Sequence, residues 1–187
     1  MGLSDERSAV RRTGRLARAG LEDSKRQHAQ RKLVAHLFSL DALSAASVGL
    51  FVADDGEPDL MPLVERLWSR EQTVALPVLE DDPNDFSMRF EPWRPHDDLL
   101  PGRYGIPVPP SRKPIEPQTL LVSFTGFDAM GNRIGRGAGF FDRYLAGSNS
   151  TAIGVGFEVQ RFDRVPVADH DQALPTVVTD LGVRHIT

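Results

Sequence analysis

Apolar positions recur along this chain at two periods. Between residues 21 and 40, Leu33, Val34, Leu37 and Phe38 repeat at helical spacing and predict a helix with that face toward a core. A helix is predicted before it over 4–19, with Ser4 as its cap and Asp5 and Glu6 in the first turn. A third, over 59–70, places Leu60, Leu63, Val64 and Leu67 on one side, with Trp68 packing toward the core. Between and after these helices come short, nearly continuous apolar runs at 47–52, 73–79, 119–124, 151–156 and 176–178. Runs of that length read as buried strands, and Pro77 places the second near a strand end. Asp54-Asp55-Gly56 is a turn. Residues 80–118 hold too many prolines for long helices and read as loops and short strands over a binding face. Strands alternating with helices predict an α/β fold, a mostly parallel sheet covered on both faces.

Length adds one constraint: 187 residues suit a single domain over 1–187 with a sizeable core. The absence of cysteine excludes structural disulfides and thiolate metal sites. The first residues are polar, and no apolar run approaches the ~20 residues of a membrane span, so the cytoplasm is expected and a membrane is not. Net charge is −4, but residues 1–40 carry nine Lys/Arg against four Asp/Glu. An acidic total argues against nucleic acid as a partner and leaves room for an arginine-lined pocket for a polyphosphate. Arg7, Arg11, Arg15 and Arg18 share much of one helix face, which by itself reads as a solvated face.

The informative segment runs from Gly131 to Arg143. It reads as a loop over 131–139 that follows an apolar strand and opens a short helix at 140–146, ended by Gly147. Gly131, Gly135, Gly137 and Gly139 let the backbone approach a ligand closely. Such a loop is either a plain turn or a phosphate cradle. Arg133 and Arg136, which can bond phosphate oxygens, and Asp142, placed to meet a divalent cation, favour the cradle. It is not a P-loop, because Arg136-Gly137 follows Gly135, and it is not a dinucleotide fingerprint, because Phe140 stands where the third glycine would be.

This segment resembles the Gly-x-Arg-Leu-Gly-Arg-Gly-x-Gly-Tyr-Tyr-Asp-Arg signature of the 5-formyltetrahydrofolate cyclo-ligases. Further elements resemble that family in the same order: Arg7 to Arg11, Phe51-Val52 with Glu57, Met88 to Phe90, Tyr104 to Pro107, and His170-Asp171 with Leu174 and Thr179. The resemblance implies a three-layer α/β/α sandwich around a mainly parallel sheet. It also implies ATP-dependent closure of 5-formyltetrahydrofolate to 5,10-methenyltetrahydrofolate with Mg²⁺, and a monomer is expected. Carried over residue by residue, it puts Arg7, Arg11, Arg133, Ile134, Gly135, Arg136, Gly137, Ala138, Gly139, Phe140 and Phe141 at ATP. Val52, Glu57, Tyr104, Arg136, Gly137, Ala138, Gly139 and Phe140 fall to the folate, Asp142 and Asp171 to the metal, and Arg136 with Asp142 to catalysis.

The chain departs from the family pattern at Ser123 to Gly126, at Ala138, at Phe140-Phe141 and at Pro175. Those departures keep two other readings open: a divergent ATP-using paralogue, or a folate- or nucleotide-binding protein without turnover. Arg12 and Arg18 lie outside the family elements and are expected to be dispensable.

Overall fold

The computed structural model describes residues 2–186. Its helices are α1 (Leu3–Ala19), α2 (Asp23–Phe38), α3 (Met61–Ser69) and α4 (Phe140–Ala146). Its strands are β1 (Ser47–Gly49), β2 (Thr73–Leu79), β3 (Met88–Trp93), β4 (Leu100–Pro101), β5 (Pro107–Val108) and β6 (Thr119–Ser123). They continue with β7 (Gly126–Phe127), β8 (Arg133–Ile134), β9 (Thr151–Val155), β10 (Thr176–Thr179) and β11 (Gly182–His185). Seven strands make one sheet in the order β11-β10-β9-β6-β1-β2-β3, and two small ribbons pair β4 with β5 and β7 with β8. The pairings β10–β9, β9–β6, β6–β1 and β1–β2 are parallel, whereas the edge strands β3 and β11 run antiparallel.

Side-chain alternation explains the layers. Val74, Leu76, Leu121, Ile153, Val155 and Val178 pack on one face with Leu33, Leu37, Leu63 and Leu67 from α2 and α3. Their neighbours Ala75, Leu120, Val122, Ala152 and Val177 pack on the other with Phe141, Tyr144 and Leu145 of α4. A period of two on a sheet buried on both sides gives apolar runs without polar interruption. The expected three-layer α/β/α arrangement is therefore present. Among the described residues no helix is long and apolar enough to cross a membrane.

Several boundaries differ from the expected ones. Helix α1 starts earlier: Gly2 is the N-cap, Ser4 lies inside the first turn, and the Asp5 carboxylate accepts the Gly2 N–H at 3.2 Å. The strand expected over 47–52 ends at Gly49, after which a single bond, Leu50 N–H to the Ala75 carbonyl, holds the chain against β2. Pro77 falls in β2 beyond that last contact, where only β3 flanks the strand and a missing N–H is tolerated. Residues 80–118 contribute the six-residue β3 to the main sheet, and Trp93 is buried there against Trp68 rather than open to a ligand. The glycine-rich segment does not leave the sheet directly, because the β7–β8 hairpin intervenes and takes Arg133 and Ile134 into a strand.

Candidate active site

Strand order reverses between β1 and β6: the chain goes from β1 to β2 on one side and from β6 through β9 to β10 on the other. The carboxyl ends of strands at such a reversal leave a crevice that ligands commonly use. Here the crevice is bounded by the 54–57 turn after β1, the β7–β8 hairpin after β6, the loop 135–139 and α1. The turn closes with Glu57 N–H on the Asp54 carbonyl at 3.0 Å, and Asp55 and Gly56 both have positive φ (52° and 76°). That is a type I′ turn, which Asp-Gly suits.

Helix α1 reaches the crevice because two glycines allow it. A Cβ at Gly14 would lie 1.8 Å from the Thr125 carbonyl oxygen, and one at Gly126 would lie 2.8 Å from Val10 and from the Phe162 ring. With α1 seated that closely, Arg7, Arg11 and Arg18 of its arginine row meet the loops, while Arg15 stays exposed. Arg7 bonds the Pro166 carbonyl at 3.1 Å and pairs through both terminal nitrogens with Asp171. Arg11 donates Nε to the Gly135 carbonyl at 3.2 Å, and among the described residues no carbonyl or carboxylate takes its two Nη atoms. Arg15 meets Asp55 at 3.1 Å. Arg18 is fully buried, bonding Asp55 at 2.8 Å and standing 3.9 Å from Glu57. The solvated-face reading holds for Arg15 but not for Arg7, Arg11 or Arg18, and Arg18 is no surface residue. Arg12 is exposed.

Arg136 crosses the crevice from the glycine loop to Asp54 (2.8 Å) and Glu57 (3.3 Å). The Glu57 side chain is only 4% exposed. Burial raises its pKa, against the opposing effects of Arg136, Arg18, the Asp54 N–H and the nearby Ser123 hydroxyl. Gly137 and Gly139 have φ of 122° and 70°, so the loop takes a path closed to most side chains. With only seven residues, α4 adds little dipole, and the anion-binding capacity rests on the loop's own N–H groups and on the arginines.

The two expected metal ligands flank the same loop. Asp142 Oδ1 accepts Arg133 at 2.9 Å and the Gln172 N–H at 3.2 Å. Arg133 is therefore buried and committed to Asp142 and the Gln172 carbonyl, not offered to the crevice, and Ile134 is wholly buried beside it. Asp171 is bonded on both oxygens, by Arg7 and by the Ala168 N–H at 2.8 Å. Burial would raise its pKa, but these bonds hold it below the usual carboxylate range. Among the described residues no group of three or more His, Cys, Asp or Glu is placed to hold a metal ion. The donor set still fits Mg²⁺, which takes one or two carboxylates and fills its sphere with water and phosphate oxygens. Asp142 and Asp171 are the residues that would hold it. His170 is exposed, with Nε2 3.9 Å from Asp171.

The loop's aromatic pair divides its work. Phe141 packs into the core, and Phe140 faces Tyr104 and Phe86 at ring-centroid distances of 6.4 and 6.0 Å. Tyr104 is exposed, as a stacking surface must be, and Val52 is half-buried below the 54–57 turn. Arg103, which the sequence reading passed over, ties this wall together. It donates to the carbonyls of Glu80, Pro83 and Asp85 at 2.7–3.0 Å and lies 4.8 Å from the Tyr104 ring centre. A groove of about 630 Å³ continues past Phe86 along α4, lined by Met88, Ile115, Arg143 and Tyr144. Two departures from the family pattern turn inward: Thr125 is buried with its hydroxyl on the Ile134 carbonyl at 2.9 Å, and Gly126 makes room for α1.

Fold and site together define a three-layer α/β protein whose ligand crevice opens at the carboxyl edge of a parallel sheet. The chain belongs to the 5-formyltetrahydrofolate cyclo-ligase family, whose model matches residues 3–180. It is 33% identical over 146 residues to the 5-formyltetrahydrofolate cyclo-ligase of Escherichia coli (strain K12), covering 72% of this chain and 78% of that one. It is 26% identical over 180 residues to the Haemophilus influenzae enzyme of the same name, covering 91% and 96%. The NMR structure of Aquifex aeolicus 5,10-methenyltetrahydrofolate synthetase superposes with a TM-score of 0.83 at 26% identity, covering 96% of this chain and 92% of that one.

Proposed function

We propose that this protein closes 5-formyltetrahydrofolate into 5,10-methenyltetrahydrofolate at the expense of ATP, releasing ADP and phosphate. Beyond family membership, the observation that carries the reading is one crevice holding the Glu57–Arg136 pair, the free end of Arg11 and the glycine loop. A formamide is a poor electrophile, because nitrogen shares its lone pair with the carbonyl. Transfer of the γ-phosphoryl group to the formyl oxygen turns that oxygen into a leaving group. Nitrogen 10 then attacks the formyl carbon, loses its proton, and phosphate departs with the oxygen. Such chemistry asks the protein for alignment and charge neutralisation more than for a nucleophile.

Each group has a part in this scheme. Arg11 and the N–H groups of Gly135 to Gly139 hold the triphosphate, joined by Arg7 when it leaves Asp171. Arg133 acts one step back by fixing Asp142. Mg²⁺ between Asp142 and Asp171 would neutralise charge on the transferring group. Glu57 and Arg136 grip the polar end of the pterin, and Tyr104 with Phe140 covers its ring. We place it in a monomer in the cytoplasm, with neither nucleic acid nor membrane as partner and residues 1–187 acting as one domain.

The test is turnover. With 5-formyltetrahydrofolate, ATP and Mg²⁺, the purified protein should develop the methenyl chromophore with one ADP formed per product. Folded protein that gives no ATP-dependent chromophore at saturating substrate would sink the proposal.

A further inference from the structure

Among the described residues Arg18 is the largest fully buried side chain, and it is charged. Its Nη2 bonds Asp55 at 2.8 Å, its Nη1 stands 3.9 Å from Glu57 Oε1, and neither Nε nor Nη1 has a hydrogen-bond partner. Burying a guanidinium with orphaned donors is costly, and a well-packed apolar side chain commonly serves a fold at least as well. Stability of α1 therefore does not account for an arginine here. Its position behind the Glu57 carboxylate does.

We infer that Arg18 is a positioning residue for the proposed reaction, a buried guanidinium that keeps the Glu57 carboxylate charged and aimed across the crevice at Arg136. The inference rests on the reading of Glu57 as a folate contact. Glu57 is faced by Arg136 from the glycine loop, by Arg18 from α1, by Ser123 from the end of β6, and by the Asp54 N–H of its own turn, while Asp54 shares Arg136 and Asp55 shares Arg18 with it. Arg15 reaches that turn through Asp55. Burial presses Glu57 toward its neutral form, and the two arginines oppose it.

Among the described residues, two cations lie within 4 Å of the carboxylate. Arg136 is about one-third exposed and already shared with Asp54, so an anionic ligand entering the loop competes for it. Arg18 has no exposure and cannot be drawn away. It supplies a counter-charge that stays constant through a catalytic cycle in which Arg136 is borrowed.

The experiment combines Arg18→Gln, Arg18→Lys, Glu57→Gln and the double variant Arg18→Gln/Glu57→Gln. Carboxyl ¹³C NMR follows the Glu57 titration in the free protein, and the acid limb of kcat/KM follows it during turnover. Removing a counter-charge at this distance should move both upward by about one pH unit or more, while Arg18→Lys stays near wild type. An unmoved Glu57 titration in folded Arg18→Gln overturns the inference.

Where Arg18→Gln is too unstable to titrate, unfolding midpoints decide. The double variant, which leaves no buried carboxylate without its Arg18 counter-charge, should be more stable than Arg18→Gln alone. A double variant no more stable than the single one makes Arg18 a packing residue independent of Glu57. The NMR and unfolding measurements use no folate, so a failed turnover assay and a failed Arg18 experiment remain distinct results.

Discussion

Arg7, Arg11, Arg15 and Arg18 follow one another at one-turn spacing, yet each lies in a different environment: a carboxylate clamp, a loop carbonyl, a surface pair and the core. Spacing places residues on one face but does not say what the rest of the chain lays over that face, which is why Arg18 could not be told from Arg12 in the sequence. The contrast yields a test of the nucleotide site. Arg11→Ala should weaken ATP binding by ~1.5–3 kcal/mol, the worth of a hydrogen bond to a charged group. Arg12→Ala, in exposed helix, should change ATP affinity and stability by no more than ~0.5 kcal/mol. Titration calorimetry on the two variants separates the readings, and equal small losses would remove Arg11 from the nucleotide. Asp142→Asn and Asp171→Asn should each slow turnover and raise the Mg²⁺ concentration needed for half-maximal rate. Wild-type Mg²⁺ dependence in both would remove the metal from this pair. Asp142→Asn also tests whether Arg133, left without its partner, still holds the loop.

At the scale of elements, the apolar runs and helical faces were legible because a sheet buried on both sides and two amphipathic helices leave plain periods in the sequence. Less legible were elements defined by partners rather than pattern. The edge strand β11 carries Arg184 and His185 and pairs only with β10, and β3 contains Pro92 in a proline-rich stretch. The β7–β8 hairpin was hidden because its strands are two residues each and its turn is held by Asp128, a buried carboxylate bonded to the N–H groups of Met130, Asn132 and Val165. Close docking of α1 on this hairpin is what brings Arg7 and Arg11 to the loop, and Gly14 is its contact point. Gly14→Ala should gain ~1 kcal/mol of helix propensity but force α1 outward, at a cost of ~1–3 kcal/mol for overpacking. The expected net result is a lower unfolding midpoint together with weaker ATP binding. An unchanged midpoint with unchanged affinity would mean that α1 docks differently.

For the whole molecule, the parallel sheet and its reversal between β1 and β6 gather residues from both ends of the chain into one crevice. The distance from Arg7 to Asp171 in sequence, 164 residues, shows how little of that gathering a linear reading can see. Family resemblance named the same residues without giving their partners. Which of them pair with another residue became visible only with the fold, as Arg133 on Asp142 illustrates, and Arg18, which the resemblance did not name, emerged there beside Glu57. The central claim is that this crevice uses ATP to turn the formyl oxygen into a leaving group. The direct measurement is turnover of 5-formyltetrahydrofolate carrying ¹⁸O in the formyl group, with mass analysis of the released phosphate. Phosphate bearing one ¹⁸O per methenyl product is the predicted result, and methenyl product accompanied by unlabelled phosphate would contradict it.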